Sequence, residues 1–365
     1  MKDSMYWLAW QWIMPGMANR VREMVDHFGS PRQAWEAGEK ALATAPHYRR
    51  DTPAKLAQRK AAVNPGELAE RLHKMNINFL SCDQKEYPKL LNSIYDPPPA
   101  IFYKGQLKPA DELAIAVVGA RQPSQYGRLV TEKLTKDLGA VGVTVVSGMA
   151  RGIDTHAHKG ALAASARTIA VLGCGLDIVY PRENKKIMDQ IVEAGAVVSE
   201  FPPGSPPNAW HFPARNRIIS GLSLGTVVVE AGEKSGALIT AGFALEQGRD
   251  VMAVPGNIVN TLSRGPHSLI KQGARLVEGA GDILDELGLD KLFPLPTPTE
   301  KPGLKMSQEE EHLYNTLSLE PISLESIIEK SGLPAQKAMA AMMYLELKGL
   351  TKQLPGKFYI RTGPS

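Results

Sequence analysis

Cysteine is scarce in this sequence, and its placement excludes two common ways of stabilising a fold. The chain of 365 residues contains two cysteines, Cys82 and Cys174, which lie far apart and lack metal-ligand spacing. A disulfide scaffold or a zinc site needs several cysteines at short, regular intervals. We therefore expect no metal site and a reducing, cytoplasmic location, and we expect no cofactor.

Long apolar runs are also lacking. The apolar stretch Met5–Met14 is interrupted by Gln11, is too short to span a bilayer and lacks a small-residue cleavage site. Its tryptophans, Trp7, Trp10 and Trp12, fit the inner face of a small helical domain better than a targeting segment. We expect no membrane partner.

Neither sign of charge dominates the sequence. Residues 1–111 carry 16 Lys and Arg against 12 Asp and Glu, residues 112–289 carry 17 against 17, and residues 290–365 carry 9 against 9. A neutral central region cannot attract a polyanion by its bulk field. Any binding of nucleic acid there must depend on locally clustered arginines.

The glycine fingerprint of dinucleotide binding is missing as well. Residues 119–127 contain no G-x-G-x-x-G, the next strand ends at Ser147 rather than at an acidic residue, and Gly173-Cys174-Gly175 lacks a third glycine. Binding of NAD needs the three glycines to hold the pyrophosphate and the acidic residue to hold the ribose. The pattern is compatible with phosphate binding but not with NAD.

The sequence does contain short β-branched runs that stop at glycine and alternate with helical patterns. Strands are predicted near residues 114–118, 143–147, 168–172, 196–199, 225–229, 251–254 and 275–277. Helices are predicted near residues 126–138, 153–163, 183–193, 214–220, 236–247 and 267–272. Apolar strands without polar alternation are typical of a parallel sheet buried on both faces. The predicted fold class is α/β, an extended Rossmann-like and mostly parallel sheet with its ligand at the carboxyl ends of the strands.

Composition divides the chain into five segments. Residues 1–75 predict a small helical domain whose Pro15-Gly16 turn resembles helix-hairpin-helix and sterile-alpha-motif modules, with a packing role as the alternative. Residues 76–111 predict an extended connector through Pro97-Pro98-Pro99 into an edge strand at Ala100–Tyr103. Residues 112–289 are the predicted sheet domain, residues 290–305 a proline-rich linker, and residues 306–365 a winged helix.

Two predicted strand ends on opposite sides of the sheet carry residues suited to phosphate. Arg121 and Ser124 follow the first core strand, and Lys234 and Ser235 follow the strand that ends at Glu230. Free N–H groups at a helix N-terminus attract anions. Ser124 fits equally well as the cap of its helix.

The strand end between them repeats this arrangement with Gly148, Arg151 and Gly152. Glycine permits close approach of the backbone to a ligand, but it also serves simple tight turns. In that second interpretation Asp154 or Thr155 caps the helix that follows. Arg151 is harder to explain by packing.

The run His211-Phe212-Pro213-Ala214-Arg215-Asn216-Arg217 combines an aromatic ring, two arginines and an amide at the start of a predicted helix. A stacking surface beside a cationic fork is typical of single-stranded nucleic-acid binding. On a helix Arg215 and Arg217 point about 200° apart. We therefore expect one of them to contact ligand and the other to pair with a core carboxylate.

Histidines and carboxylates near the strand ends do not assemble into a recognisable catalytic or metal motif. His156 and His158 point to different faces of a helix, so solvated or phosphate-facing roles are favoured over chelation. Glu200 and Glu230 end strands and are open to two interpretations, a carboxylate pair or buried hydrogen bonding to the neighbouring glycine loops.

Taken in order, these motifs resemble the DNA-processing protein DprA (Smf) family over nearly the whole chain. The Asp96-Pro97-Pro98-Pro99 connector and the terminal winged helix fit the same family. The motifs are Gly-Ala-Arg at 119–121, Ser-Gly-Met-Ala-Arg-Gly-Ile-Asp at 147–154, Gly-Cys-Gly-Leu-Asp at 173–177 with Tyr-Pro at 180–181, His-Phe-Pro-Ala-Arg-Asn-Arg-Ile-Ile-Ser-Gly at 211–221, Ser-Gly-Ala-Leu-Ile-Thr-Ala at 235–241, and Gly-Arg-Asp-Val-Met-Ala-Val-Pro-Gly at 248–256.

The resemblance implies a non-catalytic, homodimeric protein that binds single-stranded DNA and hands it to the RecA recombinase in natural transformation. It places DNA contacts at Arg121, at Arg182, where the family often has lysine, and along His211–Arg217. Before this run, Trp210 stands in a segment that lacks a basic residue present in some members, and its ring offers stacking instead of charge. Family analogy alone places the dimer surface at His267, Ile270 and Leu276.

The residue types and the resemblance together give one predicted DNA-binding set. Its members are Arg121, Ser124, Gly148, Arg151, Gly152, Arg182, Lys185, His211, Phe212, Arg215, Asn216, Arg217, Lys234 and Ser235.

Two further expectations concern alternatives. A phosphoribohydrolase-like enzyme is the rival function, but Leu222-Ser223-Leu224 replaces the Pro-Gly-Gly that leads to the catalytic glutamate in those enzymes. In the winged helix, Lys337 is the only basic residue of the third helix before Lys348. Reading bases in the major groove needs Arg, Asn or Gln side chains, so a protein-contact role is favoured for this domain.

Overall fold

The computed structural model describes residues 2–46, 52–292, 306–317, 321–354 and 356–361. By their contacts residues 1–295 form one compact unit and residues 296–365 form another. The boundaries predicted near residues 75 and 111 therefore fall inside a single compact unit, and as domain boundaries they stay predictions.

The first unit begins with helices around a tryptophan core. Trp10 is fully buried, and its indole Nε1 donates to the carbonyl of Pro31 at 3.1 Å. Trp7 and Trp12 are half-buried and pack against the same cluster. The prediction that these tryptophans form the inner face of the helical segment is confirmed. The turn at Pro15 and Gly16 separates the first two helices, and Gly16 has a φ of +71°. The helices are α1 (Asp3–Ile13), α2 (Ala18–Phe28), α3 (Pro31–Glu36), α4 (Glu39–Leu42), α5 (Thr52–Ala61) and α6 (Pro65–Lys74).

The connector contributes two strands instead of one, with a short helix between them. These elements are β1 (Asn78–Ser81), α7 (Lys89–Asn92) and β2 (Ala100–Gly105). β1 pairs antiparallel with one side of β2, and the strand Ala196–Ser199 pairs antiparallel with its other side. The prediction of an edge strand at Ala100–Tyr103 is therefore wrong. The chain doubles back through the proline segment, so β1 covers the outer side of β2 and forms the edge itself.

The remaining elements of this unit alternate as predicted. They are β3 (Ala114–Val118), α8 (Gln125–Ala140), β4 (Thr144–Ser147), α9 (Ile153–Ala163), β5 (Thr168–Leu172), α10 (Lys185–Ala194), β6 (Ala196–Ser199), α11 (His211–Gly221), β7 (Gly225–Val228), α12 (Gly236–Glu246), β8 (Asp250–Ala253), α13 (Arg264–Lys271), β9 (Arg275–Leu276) and α14 (Ala280–Glu286). In the described residues the sheet has nine strands in the order β1-β2-β6-β5-β4-β3-β7-β8-β9, all parallel except for the pairs that β2 makes.

Burial on both faces explains the apolar strands. Along β3, Ala114, Ala116 and Val118 pack into one core, whereas Ile115 and Val117 pack into another on the opposite face. β3 lies between β4 and β7, so the chain leaves β3 toward one side and later returns to its other side. In open α/β sheets such a reversal opens a crevice at the carboxyl ends of the strands.

The second unit is a winged helix, which confirms the prediction. Its elements are α15 (Gln308–Thr316), β10 (Ile322–Ser323), α16 (Leu324–Ser331), α17 (Ala335–Leu347), β11 (Thr351–Leu354) and β12 (Phe358–Arg361). The three strands form a small sheet in the order β10-β12-β11, beside a core that includes Leu313, Ile327 and Leu345. Residues 293–305 of the predicted linker lie outside the described residues.

None of the helices in the described parts of the chain combines the length and the apolar composition that a bilayer crossing requires.

Candidate functional site

A cleft of about 650 Å³ opens at the carboxyl ends of the central strands. This is the edge at which the parallel sheet was predicted to hold its ligand, and the volume suits a nucleotide-sized group. Its walls come from the segments that follow β3, β4, β5, β6 and β7. The lining residues are Val118, Gly119, Arg121, Ala150, Asp154, Tyr180, Pro207, Ala209, Phe212, Pro213, Arg215, Asn216, Ile219, Ser235, Gly236, Ala237, Ile239 and Thr240.

One wall of the cleft combines a free cation with two aromatic rings. The guanidinium carbon of Arg121 lies 5.8 Å from the ring centroid of Phe212. The ring of Tyr180 lies 5.5 Å from that of Phe212, with the planes tilted by 39°. Arg121 is exposed and makes no ion pair with any residue that the structure describes. A guanidinium beside open ring surfaces can hold a phosphate and an unpaired base together.

Arg215 lies at the floor of the cleft, where its positive charge interacts with the buried carboxylate of Asp154. Its Nη1 donates to the carbonyl of Gly148 at 2.5 Å and also to the carbonyl of Val171. Gly148 is required here, since a Cβ atom at that position would lie 2.6 Å from Arg215 Nη2. Burial lowers the pKa of Arg215 to about 10, so the guanidinium stays charged at neutral pH. A recess of about 20 Å³ beside it is large enough for one water molecule or one phosphate oxygen.

Ser124 holds the loop after β3 against Glu230. Its Oγ donates to Glu230 Oε1 at 2.6 Å, and its backbone N–H donates to Glu230 Oε2 at 2.8 Å. The same hydroxyl accepts from the N–H of Gly127 at 3.1 Å, so Ser124 also caps α8. Glu230 is only 2% exposed. Of its two interpretations, buried hydrogen bonding to the glycine loop is the one found.

Asn216 and Ser235 fix the wall formed by α11 and α12. The Asn216 amide donates to the carbonyl of Gly236 at 3.3 Å, and its Oδ1 accepts from Arg215 Nε at 3.2 Å. Ser235 accepts from the N–H of Ala237 at 3.3 Å and caps α12. Asn216 therefore couples the floor arginine to the opposite wall.

Arg217 is paired with carboxylates and does not line the cleft, which disfavours the DNA contact predicted for it. It is 3% exposed, its Nε donates to Asp96 Oδ2 at 2.7 Å, and its Nη2 donates to Glu200 Oε2 at 2.7 Å. Arg217 pairs with core carboxylates, as was expected of one of the two arginines. Arg215 lines the cleft, and its contact with ligand stays a prediction. Glu200 thus pairs with an arginine and not with Glu230.

His211 is also held by contacts inside the protein, which disfavour the DNA contact predicted for it. His211 is 3% exposed, and its Nδ1 lies 3.0 Å from the carbonyl of Gly173. Its ring stacks on that of Phe201 with a centroid distance of 3.9 Å. Burial lowers the pKa of His211 below its ordinary value. α11 begins at this residue, earlier than the predicted start at Ala214, since the buried ring anchors its first turn.

The glycine at the start of α9 is needed for packing, and the second interpretation, in which Asp154 or Thr155 caps the helix, is not the one found. Gly152 is the N-cap, with a φ of +79°, and a Cβ atom on it would lie 2.2 Å from the carbonyl oxygen of Ala120. Asp154 accepts instead from the N–H of Ala150 at 3.3 Å, and Thr155 donates to the carbonyl of Ala150 at 2.7 Å. Both side chains close the preceding turn.

Four predicted cationic contacts lie at or beyond the rim of the cleft, and all four are exposed. Arg151 lines the small recess and pairs with Glu183. The other three, Arg182, Lys185 and Lys234, line neither the cleft nor the recess. Of these, Lys185 pairs with Asp189 on the surface of α10.

The two clustered histidines have different partners, as their spacing predicts. His156 Nδ1 lies 2.6 Å from Glu132 Oε1, whereas His158 is fully buried with Nδ1 2.7 Å from Thr168 Oγ1. The expectation of solvated or phosphate-facing rings is wrong for His158. Across the described ranges, no group of three or more histidine, cysteine and acidic side chains is arranged to hold a metal ion.

Sequence reasoning missed Tyr180 as a cleft residue. The residue is 39% exposed, and its ring lies against Phe212. An exposed aromatic just after a strand end and just before proline was the signal that could have identified it. Phe212 was predicted on its own, but the ring pair only becomes visible when β5 and α11 are placed side by side.

The predicted dimer residues lie near the opposite edge strand. Leu276 is 40% exposed on β9, which is the last strand of the sheet order. Ile270 is half-buried against the core, and His267 Nε2 lies 3.1 Å from the carbonyl of Gly256. Their role in assembly stays a prediction.

Comparison with known proteins assigns the chain to a family. The profile of DNA recombination-mediator protein A matches residues 78–288, and that of the DprA winged helix domain matches residues 295–357. The chain belongs to the DprA family. Its members are DNA-processing proteins that act in recombination, and this chain has the same general role.

Relatives and solved structures agree with this assignment. The chain is 34% identical to Protein Smf of Synechocystis over 98% of its own length and 99% of that protein, and 44% identical to DNA processing protein DprA of Streptococcus pneumoniae over 63% and 85%. The solved structure of the Streptococcus pneumoniae DprA has a TM-score of 0.68 at 36% identity, covering 78% of this chain and 98% of that one.

A second solved structure concerns the single-stranded DNA binding mode of DNA processing protein A from Helicobacter pylori. It has a TM-score of 0.53 at 29% identity and covers 59% of this chain and 96% of that chain.

Proposed function

We propose that the cleft binds single-stranded DNA without chemically altering it. The observation that carries the proposal is the exposed guanidinium of Arg121 beside the rings of Phe212 and Tyr180, in a cleft that Arg215 also lines. Phosphates lie along the carboxyl edge of the sheet, and an unpaired base stacks on the ring pair. The Helicobacter pylori relative, whose structure concerns single-stranded DNA binding, supports this ligand class.

The proposed contacts omit several residues of the predicted set and add Tyr180. The proposed direct contacts in the cleft are Arg121, Phe212, Tyr180 and Arg215, with Arg151, Arg182, Lys185 and Lys234 as phosphate contacts at the rim. Ser124, Gly148, Gly152, Asn216 and Ser235 shape the cleft through hydrogen bonds or close packing. Rim cations bind the backbone of the strand without reading sequence, because phosphates are the same at every position.

Hydrolysis of nucleotides is not proposed. Both carboxylate oxygens of Glu230, the residue that a phosphoribohydrolase-like mechanism would use, accept hydrogen bonds from Ser124. A carboxylate engaged in this way holds the loop in place. The enzyme would be favoured if the protein released free base from nucleoside monophosphates and if Glu230→Gln abolished this release.

The proposal extends to the cellular role expected of the family. We propose that the chain acts in the cytoplasm as a homodimer and delivers the bound strand to the RecA recombinase. Exposed apolar side chains in this part of the chain support the dimer, since Ile258 and Val259 are 84% and 83% exposed and Leu276 is 40% exposed. In analytical ultracentrifugation, Leu276→Arg should sediment at half the mass of the wild type.

Delivery to RecA is tested by measuring RecA assembly on DNA covered by a single-strand-binding protein. The chain should stimulate this assembly, and a lack of stimulation would contradict the proposed delivery.

The first test is fluorescence anisotropy with matched single- and double-stranded oligonucleotides over a series of salt concentrations. Single strands should bind more tightly, with a salt slope near −0.7 for each neutralised phosphate. Arg121→Glu should reduce the affinity about tenfold or more, since it replaces a cation with an anion at the phosphate path. Equal binding of duplex, or unchanged binding by this variant, contradicts the proposal.

A matched control is Lys136→Glu on α8. Lys136 is exposed and lies 11 residues after the start of the helix, which is about 16 Å along its axis. It therefore lies away from the cleft, toward the amino ends of the parallel strands. It changes the net charge by the same amount as Arg121→Glu. A comparable loss of affinity in both variants would indicate a general field effect and not a local contact.

A further inference from the structure

Trp210 is an exposed aromatic side chain in a fixed position. Its residue is 55% exposed, yet three neighbours hold the ring. Phe201 and His211 contact it at centroid distances of 6.1 and 4.1 Å with nearly perpendicular planes. A Cβ atom placed on Gly16 would lie 3.3 Å from Trp210 Cζ3, so the indole packs directly on the α1–α2 turn. Neither aromatic neighbour lies parallel to the indole.

The ring stands on the rim of the cleft. Ala209 and Phe212, on either side of it in the chain, both line the cleft. His211 is buried between Trp210 and Phe212, and consecutive positions at the start of a helix point about 100° apart. Trp210 and Phe212 therefore present their rings on opposite sides of the buried His211. The first faces the α1–α2 turn and the second faces Tyr180 and Arg121.

We infer that Trp210 is a second base-stacking platform, which continues the path of the single strand from the cleft toward the turn between α1 and α2. The inference rests on the proposed function and adds a residue and a direction to it. A rigid indole loses little conformational freedom when a base stacks on it, and stacking tolerates any base sequence. The N-terminal helices gain a role as the support of this platform.

Single exposed apolar residues are common and need no explanation by themselves. Trp210 differs because its position is fixed by glycine on one side and by a buried histidine on the other, at the border of a cleft that already holds an aromatic pair. Tyr95 is more exposed, at 88%, but does not line the cleft. It therefore provides a matched control for the loss of an exposed ring.

The test compares two probes of equal length, an oligothymidylate and a strand in which every base is replaced by an abasic unit. Trp210→Leu keeps an apolar side chain at this position and removes the aromatic face. Affinity for the oligothymidylate should fall about 5- to 150-fold, the range that one stacked base contributes. Affinity for the abasic strand should stay unchanged, because its phosphates are bound elsewhere. Trp210→Phe should recover most of the loss, and Tyr95→Leu should resemble the wild type.

The outcomes separate this inference from the proposed function. Wild-type affinity of Trp210→Leu for the oligothymidylate overturns the inference, provided that Arg121→Glu still weakens both probes. An equal loss of both probes in Trp210→Leu also overturns it, because stacking cannot account for reduced binding of a strand without bases. If Arg121→Glu leaves both probes unaffected, the proposed function itself fails.

Discussion

At the scale of single residues, two arginines of one helical turn have opposite roles. Arg215 faces the cleft, whereas Arg217 joins Glu200 to Asp96 inside the protein. The spacing of two residues predicts that they diverge. It does not predict which one turns inward, since that depends on where the acceptor carboxylates lie after folding.

Replacing Arg217 tests its structural role. Arg217→Met leaves the Glu200 carboxylate buried without its partner, so the free energy of unfolding should fall by about 3–5 kcal/mol. Urea denaturation measures this change. The control is Arg182→Met at an exposed rim position, which should keep the stability of the wild type and lower DNA affinity instead. A stable Arg217→Met protein that binds DNA poorly would contradict the assignment.

At the scale of elements, a buried histidine joins α9 to β5 and makes that contact sensitive to acid. His158 Nδ1 lies 2.7 Å from Thr168 Oγ1, whose own hydroxyl donates to the carbonyl of Val145 at 2.8 Å. The histidine must therefore carry its proton on Nδ1. Burial lowers the pKa of His158 from 6.5 to about 3.

The pH dependence of stability follows from this shift. Below pH 6.5 the unfolded chain binds a proton at His158 that the folded protein excludes down to about pH 3, so stability is lost as the pH falls through this window. At pH 5 the loss from this group is about 2 kcal/mol. His158→Asn keeps a donor near Nδ1 and cannot titrate, so its stability should change less between pH 7 and pH 5.

Denaturant unfolding at the two pH values checks this prediction. His73→Asn, at an exposed position on α6, is the control for losing a histidine at the surface. Equal pH dependence in wild type and His158→Asn would show that the buried histidine does not control acid sensitivity.

The elements themselves follow closely from local sequence pattern. The predicted core strands and helices all occur, because buried parallel strands leave a continuous apolar signal that ends at glycine. The edge of the sheet was assigned wrongly, because pairing of β2 on its second side depends on a return of the chain through Pro97–Pro99. The ring pair of Tyr180 and Phe212 was also beyond local pattern, since its members lie on segments that meet only in the folded protein.

At the scale of the whole molecule, the residues that line the cleft all belong to the compact unit of residues 1–295. In the winged helix, Lys337 pairs with Glu309 at 2.9 Å and Lys348 pairs with Glu310 at 2.7 Å. Helix α17 presents Met339, Met343 and Leu347 to solvent. These features favour protein contact over binding of DNA by this unit.

Removing the second unit tests this division. A chain that ends at residue 295 should bind single-stranded DNA with an affinity within about threefold of the full chain and with the same salt slope, because it keeps the phosphate contacts. Anisotropy over a salt series measures both quantities. A shallower slope in the shortened chain would show that the winged helix contributes phosphate contacts.

The hydrogen bond between Ser124 and Glu230 spans 106 residues of sequence. β3 cannot complete its pairing until β7 has been synthesised, and such distant contacts form late in folding. A nascent chain on the ribosome therefore carries Arg121 long before the proposed DNA site can form. If the proposal holds, we expect ribosome-bound chains to acquire affinity for single strands only after about residue 240 has emerged, and unfinished copies should not compete with mature protein for the strand.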